Sequence, residues 1–301
     1  MTSGIETIEV ARAVGRSRAS AFLELTKPRV VLMVLVTTLV GFYLGSGPVP
    51  DYLRLIQTLI GTALAAGGTL ALNQLLERET DALMERTRRR PLPEGRVQPA
   101  EALIFGVGIT ACGLMVLALT VNALSALVTA FIVGSYLFVY TPLKQKSALC
   151  GLVGAVPGAL PPVIGWTAAR GELGIEAWLL FSLLFLWQVP HTLAIARLYH
   201  NDFARAGIRF LPVIEPDGRS TGRQVLSHTL ALLAVSLLPT LLGLAGPLYF
   251  LAALLLGGAF LACGIALAIA PSAASARRLL FASLVYLPLL LVVMALDKLP
   301  V

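Results

Sequence analysis

Nine apolar stretches of roughly membrane length constrain this chain more than any other feature. A transmembrane helix needs about 20 mostly apolar residues. In lipid every backbone N–H and C=O must find its partner within the protein, so only helices and closed barrels span a bilayer. The apolar runs here predict spans at about 28–46, 54–76, 100–120, 123–142, 147–168, 175–197, 224–243, 248–270 and 278–296. The expected fold class is all-α, a polytopic membrane bundle of nine transmembrane helices. Composition agrees. Of 301 residues, 57% are hydrophobic and only 13% charged, whereas soluble domains carry about 25% charged residues.

The net charge of +7 reads as topology, not as affinity for nucleic acid, because basic residues collect on the cytoplasmic side of membrane proteins. With the N-terminus inside, 20 of the 23 Lys and Arg residues fall on the inner side. The outer side keeps Arg54, Arg170 and Lys298. Nine spans then place the C-terminus outside. Residues 1–24 are of mixed polarity with no apolar core of signal-peptide length, and are expected to form a cytoplasmic tail. Residues 25–301 are expected to form one membrane domain. The acidic residues in the tail argue against a transit peptide, so a bacterial inner membrane is expected. Cys112, Cys150 and Cys263 form no CxxC pair and read as small packing residues.

Two long polar loops, about 77–99 and 198–223, fall on the inner side. The first completes the stretch NQLLERETDALMERTRRRPLPEGR, residues 73–96, with five carboxylates and six arginines. Asn73, Glu77 and Asp81 are spaced four apart and share one face if helical. An amide and two carboxylates at a membrane surface suit Mg²⁺, which takes its remaining ligands from water and phosphate. Arg86 and Arg90 flank the acids and offer donors to phosphate oxygens. Lys144, after YTPL at 140–143, sits on the same inner side and is assigned the same role. Lys27, Arg29, Arg277 and Arg278 are assigned to topology.

The sixth span contains Trp187, Gln188 and His191, polar groups that at membrane depth usually face a cavity or a partner helix. Asp202 follows in the loop, with His200, Arg205 and Arg209 nearby. If spans two and six are neighbours, Asp202 faces the Glu77/Asp81 cluster, and a Mg²⁺-bound diphosphate is held from both sides. His191, alone on an apolar helix, reads as a hydrogen-bonded core residue or as a ligand, and Trp187 and Trp166 read as packing.

The chain resembles the UbiA superfamily of intramembrane prenyltransferases, which carries acidic motifs after its second and sixth helices. Finer strings resemble the protohaem IX farnesyltransferase, or haem O synthase, branch: LTKPRV at 25–30, residues 73–96, YTPLK at 140–144, GAVPGALPPVIGW at 154–166, WQVPH at 187–191, and DFARAG with LPV at 202–213. The last three spans carry almost none of this signature. Glu77 replaces a common Asp, and the second motif offers one clear carboxylate. Arg209-Phe210 stands where a proline and a methionine are expected.

The resemblance implies a UbiA-type fold and Mg²⁺ held by Asn73, Glu77, Asp81 and Asp202 as the catalytic set. It implies substrate contacts from Arg86, Arg90, Lys144, Arg205, Trp187, Gln188 and His191. It implies joining of farnesyl diphosphate to a vinyl group of haem B, with water added, to give haem O. Membrane lipid is a further partner, with a haem A synthase or terminal oxidase assembly downstream. The alternatives are a UbiA-type enzyme acting on an aromatic quinone precursor and, in a different class, an ion-coupled transporter. The transporter predicts carboxylates near the bilayer midplane.

Overall fold

The computed structural model describes residues 18–215 and 217–299. Most of the tail expected over 1–24 therefore lies outside the described residues; its described part belongs to a short helix, Arg18–Leu25. Nine helices among the described residues are long and apolar enough to cross a membrane. They are Pro28–Gly45, Tyr52–Leu76, Pro99–Val121, Ala123–Leu143, Cys150–Arg170, Ile175–Leu198, Arg219–Leu241, Pro247–Ile269 and Ala273–Leu296, termed here the first to ninth spans. The seventh and ninth start several residues before the apolar runs do. Their first turns carry residues, Arg219 to Arg223 and Ala273 to Arg277, that hydropathy assigns to loops. The ninth is started by a capping box in which Ser272 and Ser275 each bond the other's backbone N–H, which satisfies two otherwise unpaired donors.

Close backbone contact between the first and fifth spans anchors the bundle. A Cβ on Gly165 would lie 1.9 Å from the Thr38 carbonyl oxygen, and one on Gly41 would lie 2.0 Å from that of Pro162. Small residues allow such approach, and membrane helices depend on it because lipid supplies no hydrophobic drive between them. Thr38 Oγ1 donates to the Pro161 carbonyl at 3.1 Å. This satisfies an acceptor close to where Pro161-Pro162 divides the fifth span into Cys150–Ala159 and Pro161–Arg170. The main core is lined by Trp166, Leu183, Leu232, Tyr249, Phe260 and Tyr286, each at most 2% exposed. Large apolar side chains such as Leu119, Ile269 and Leu296 point outward, as a bilayer requires and water would penalise.

Two features prepare one end of the bundle for chemistry. The fourth span makes a π-helical turn over Ser135–Tyr140 before ending in Thr141–Leu143. Such a turn inserts an extra residue and redirects the chain beyond it. A second, small apolar cluster then joins three connections: Met84 from the loop after the second span, Cys150 at the start of the fifth span, and Phe203, Ile208 and Phe210 after the sixth. The Arg209 N–H donates to the Lys144 carbonyl at 2.7 Å, so the loops after the fourth and sixth spans are also tied through the main chain.

Candidate active site at the loop end

The i, i+4 spacing of Asn73, Glu77 and Asp81 survives a break in the helix. The second span ends at Leu76, Glu77 leaves helical geometry (φ −98°, ψ 7°), and a short helix resumes at Arg78–Ala82. The register is carried across by Glu77 N–H to Asn73 O (3.0 Å) and Asp81 N–H to Glu77 O (2.7 Å). Asn73 and Asp81 are each 1% exposed, and Thr87 Oγ1 holds the turn beyond them by donating to the Asp81 carbonyl at 2.8 Å.

Each carboxylate faces a base. Lys144 Nζ donates to Glu77 Oε1 at 2.6 Å and lies 4.5 Å from the centre of the Tyr140 ring. Arg90 donates to Asp81 Oδ2 at 2.5 Å. Burial opposes the charge on Lys144, yet Tyr140 and Glu77 hold its ammonium above its ordinary pKa. The Tyr140 ring occupies the place where a side chain at Gly154 would be, since a Cβ there would come within 2.4 Å of it.

Lys27, which the sequence assigned to topology, also reaches into this cluster. It takes left-handed backbone angles (φ 49°, ψ 66°) immediately before Pro28, a conformation that costs a non-glycine residue about 1–2 kcal/mol. Its Nζ reaches Asn73 Oδ1 at 3.3 Å, while Asn73 Nδ2 donates to Thr141 Oγ1 at 3.1 Å. Burial, and then Arg90 and Lys144, push its pKa down to about 7. Three bases and two acids therefore share this mouth, a balance that favours an incoming anion. The only signal in the sequence was a lysine inside LTKPRV, which reads equally well as a topology marker.

Asp202 lies on the loop after the sixth span, in the short helix His200–Arg205. The second and sixth spans do not pack directly on one another, contrary to the expectation that they are neighbours. Asp202 is ion-paired with Arg205, which also approaches Glu85 on the first loop at 3.8 Å. Arg86 bridges the same two loops, its guanidinium 5.4 Å from the Tyr199 ring centre and 5.6 Å from that of Phe203. Among the described residues no three Asp, Glu, His or Cys side chains converge as a ready-made cation cluster. The acids are held apart by their basic partners.

Deeper in the sixth span, Trp187 and His191 stack with ring centres 4.8 Å apart. Both are tied to the ninth span: Trp187 Nε1 donates to the Ser283 carbonyl at 2.8 Å, and His191 Nδ1 lies 2.7 Å from Ser283 Oγ. Gln188 fills the space beside Gly158, where a Cβ would lie 2.3 Å from its Oε1. Ser283 and Thr141 escaped the sequence reading because a lone hydroxyl in or beside an apolar run has no local pattern.

The fold and this mouth define a polytopic helical membrane protein with a polar, charge-paired site opening from an apolar bundle. Residues 34–285 match the UbiA prenyltransferase family, and the chain belongs to that family. A Solibacter usitatus protein named protoheme IX farnesyltransferase is 49% identical over 92% of this chain and 98% of its own length. The backbone superposes on a structure from a study of digeranylgeranylglyceryl phosphate synthase with a TM-score of 0.80, at 16% identity, over 93% of this chain and 98% of that one. An Archaeoglobus fulgidus UbiA homologue, solved with GPP and Mg²⁺, gives a TM-score of 0.64 at 17% identity, over 92% of this chain and 100% of that one. The UbiA-type architecture, with nine candidate membrane helices among the described residues, is thereby established.

Proposed function

We propose that this prenyltransferase joins farnesyl diphosphate to a vinyl group of haem B, with addition of water, and releases haem O and diphosphate. The observation that carries the reading is the pairing of a buried acid, Asp81, and a half-buried one, Glu77, with bases at the bundle mouth. Glu77 with Lys144 and Asp81 with Arg90 form a site that a metal-bound diphosphate can enter by exchanging partners. Glu77 and Asp81 would hold the cation, and Lys144 and Arg90 would donate to the phosphate oxygens. The choice of acceptor is supported by relatives that share the name protoheme IX farnesyltransferase at 40–49% identity.

Asn73, Glu77, Asp81 and Asp202 are all hard oxygen donors, which fits Mg²⁺, and the Archaeoglobus homologue was solved with that ion. Bound there, Mg²⁺ supplies charge stabilisation to the departing diphosphate. Lys27, Lys144 and Arg90 add donors where the same negative charge develops. The apolar bundle keeps water from the allylic cation as the C–O bond breaks. The terminal vinyl carbon bonds to the farnesyl carbon. Water then adds to the cation left beside the porphyrin and gives up a proton.

Carboxylates within the described spans are confined to Glu101 and Glu176, both in first turns. Midplane ion coupling therefore has no candidate acid, which removes support from a transporter reading. The charge asymmetry supports an orientation with the loop end facing the cytoplasm.

The test is haem analysis of membranes carrying the protein, supplied with haem B, farnesyl diphosphate and Mg²⁺. Haem O should form, and chelation of Mg²⁺ should stop it. Absence of haem O with both substrates verified overturns the proposal. Prenylation of a benzoate ring in place of porphyrin would support the quinone-precursor reading.

A further inference from the structure

Ser283 lies in the ninth span, fully buried, and makes two hydrogen bonds with one hydroxyl proton. Its Oγ is 2.6 Å from the Leu280 carbonyl oxygen and 2.7 Å from His191 Nδ1. A carbonyl oxygen can only accept. An O···O separation of 2.6 Å without a proton between the atoms would be repulsive, so the hydroxyl donates to Leu280. Ser283 Oγ must then accept from His191, which places the imidazole proton on Nδ1 and leaves the lone pair on Nε2. The ring is held further by stacking on Trp187, itself bonded to the carbonyl of the same Ser283. One residue of the ninth span thus sets both the tautomer and the orientation of a histidine on the sixth.

This is the arrangement by which proteins prepare a neutral histidine to ligate a metal through one nitrogen while the other is anchored. His191 retains partial access to its surroundings. It lies seven residues before the end of the sixth span, about 10 Å along the helix from the loop end. A porphyrin held there would lie below the diphosphate mouth.

We propose that Ser283 is a positioning residue that fixes His191 as the Nδ1–H tautomer, so that its Nε2 binds the iron of the porphyrin substrate. The inference rests on the haem-acceptor reading above and assigns the contact that orients the acceptor.

Purified protein titrated with ferric protohaem provides the test, read by absorption and electron paramagnetic resonance, with metal-free protoporphyrin IX as a parallel probe. The wild type should bind protohaem with an imidazole-ligated spectrum. His191→Ala should lose that spectrum and regain it with added imidazole. Ser283→Ala should weaken protohaem binding about tenfold, the low end for losing a partner behind a metal ligand. Ser283→Thr should preserve it, and Ser283→Ala should bind metal-free porphyrin as the wild type does. A spectrum unchanged in His191→Ala, or equal loss of both porphyrins in Ser283→Ala, overturns the iron contact while leaving haem O synthesis standing. Failure of the wild type to bind protohaem or form haem O removes both readings.

Discussion

Charged side chains at the two ends of this bundle are used in opposite ways. At the end away from the long loops Lys298 and Asp297 bond to main chain. Lys298 Nζ donates to the carbonyls of Tyr43 (2.7 Å) and Ser46 (2.6 Å), closing the last turn of the first span with a cation where the helix dipole favours one. Asp297 Oδ2 accepts the Tyr249 N–H at 2.7 Å, in the first turn of the eighth span. At the loop end the principal charges bond to each other, Lys144 to Glu77 and Arg90 to Asp81. A charge that caps a helix cannot be withdrawn without leaving backbone groups unpaired. A charge paired with another side chain can change partner if a ligand brings a replacement. The first end is therefore built for stability and the second for exchange.

The largest expected effect comes from removing an exchangeable acid. Asp81→Asn keeps the shape but not the charge, and should lower kcat for haem O formation at least about 10²-fold, the scale of a lost electrostatic contact to a transition state. Near-normal turnover would break the comparison at its active end. Lys144→Met should lower kcat/KM about 10²-fold, and Glu77→Gln a similar amount. The double variant should lose much less than the product of the two, because residues in one ion pair are not additive. Full additivity in steady-state kinetics would mean that the two act on separate steps. At the opposite end, Lys298→Met should cost about 1–2 kcal/mol of stability, as for hydrogen bonds from a charged donor, with kcat unchanged. Thermal unfolding of purified protein checks it, and a fall in kcat without loss of stability would contradict the division.

The legible and illegible parts of the molecule divide along the same physical line. The spans were legible because apolar length and charge asymmetry are properties of contiguous sequence. The first acidic motif was legible because its spacing outlives the helix break at Glu77. What pairs with those acids was not, since Lys144 lies 67 positions from Glu77 and Lys27 lies 46 from Asn73. Lys27 also presents the same local pattern as a topology marker, and only its part-buried hydrogen bond and left-handed backbone distinguish it. Ser283 has no neighbouring polar residue in its span and acquires a role only when the ninth span packs on the sixth. Spacing also suggested acids converging on one cation, whereas each is held by its own base, because buried like charges repel until something positive separates them.

Arg205 tests the boundary between the two kinds of charge, and there the expected effect is smallest. Its side chain is 51% exposed, and it pairs with Asp202 while approaching Glu85 at 3.8 Å. A pair this open to water contributes about 0–1 kcal/mol and is screened by salt. Arg205→Gln should therefore leave thermal stability unchanged. It frees Asp202 from a competing cation but also removes a donor that joins the two loops. The two effects oppose each other, so KM for farnesyl diphosphate should change by less than about tenfold, and its dependence on ionic strength should flatten. A loss of turnover as deep as that of Asp81→Asn would show that the loops are coupled through Arg205 as tightly as through the buried pairs. The exchangeable region would then extend beyond the buried mouth to the surface of the second loop.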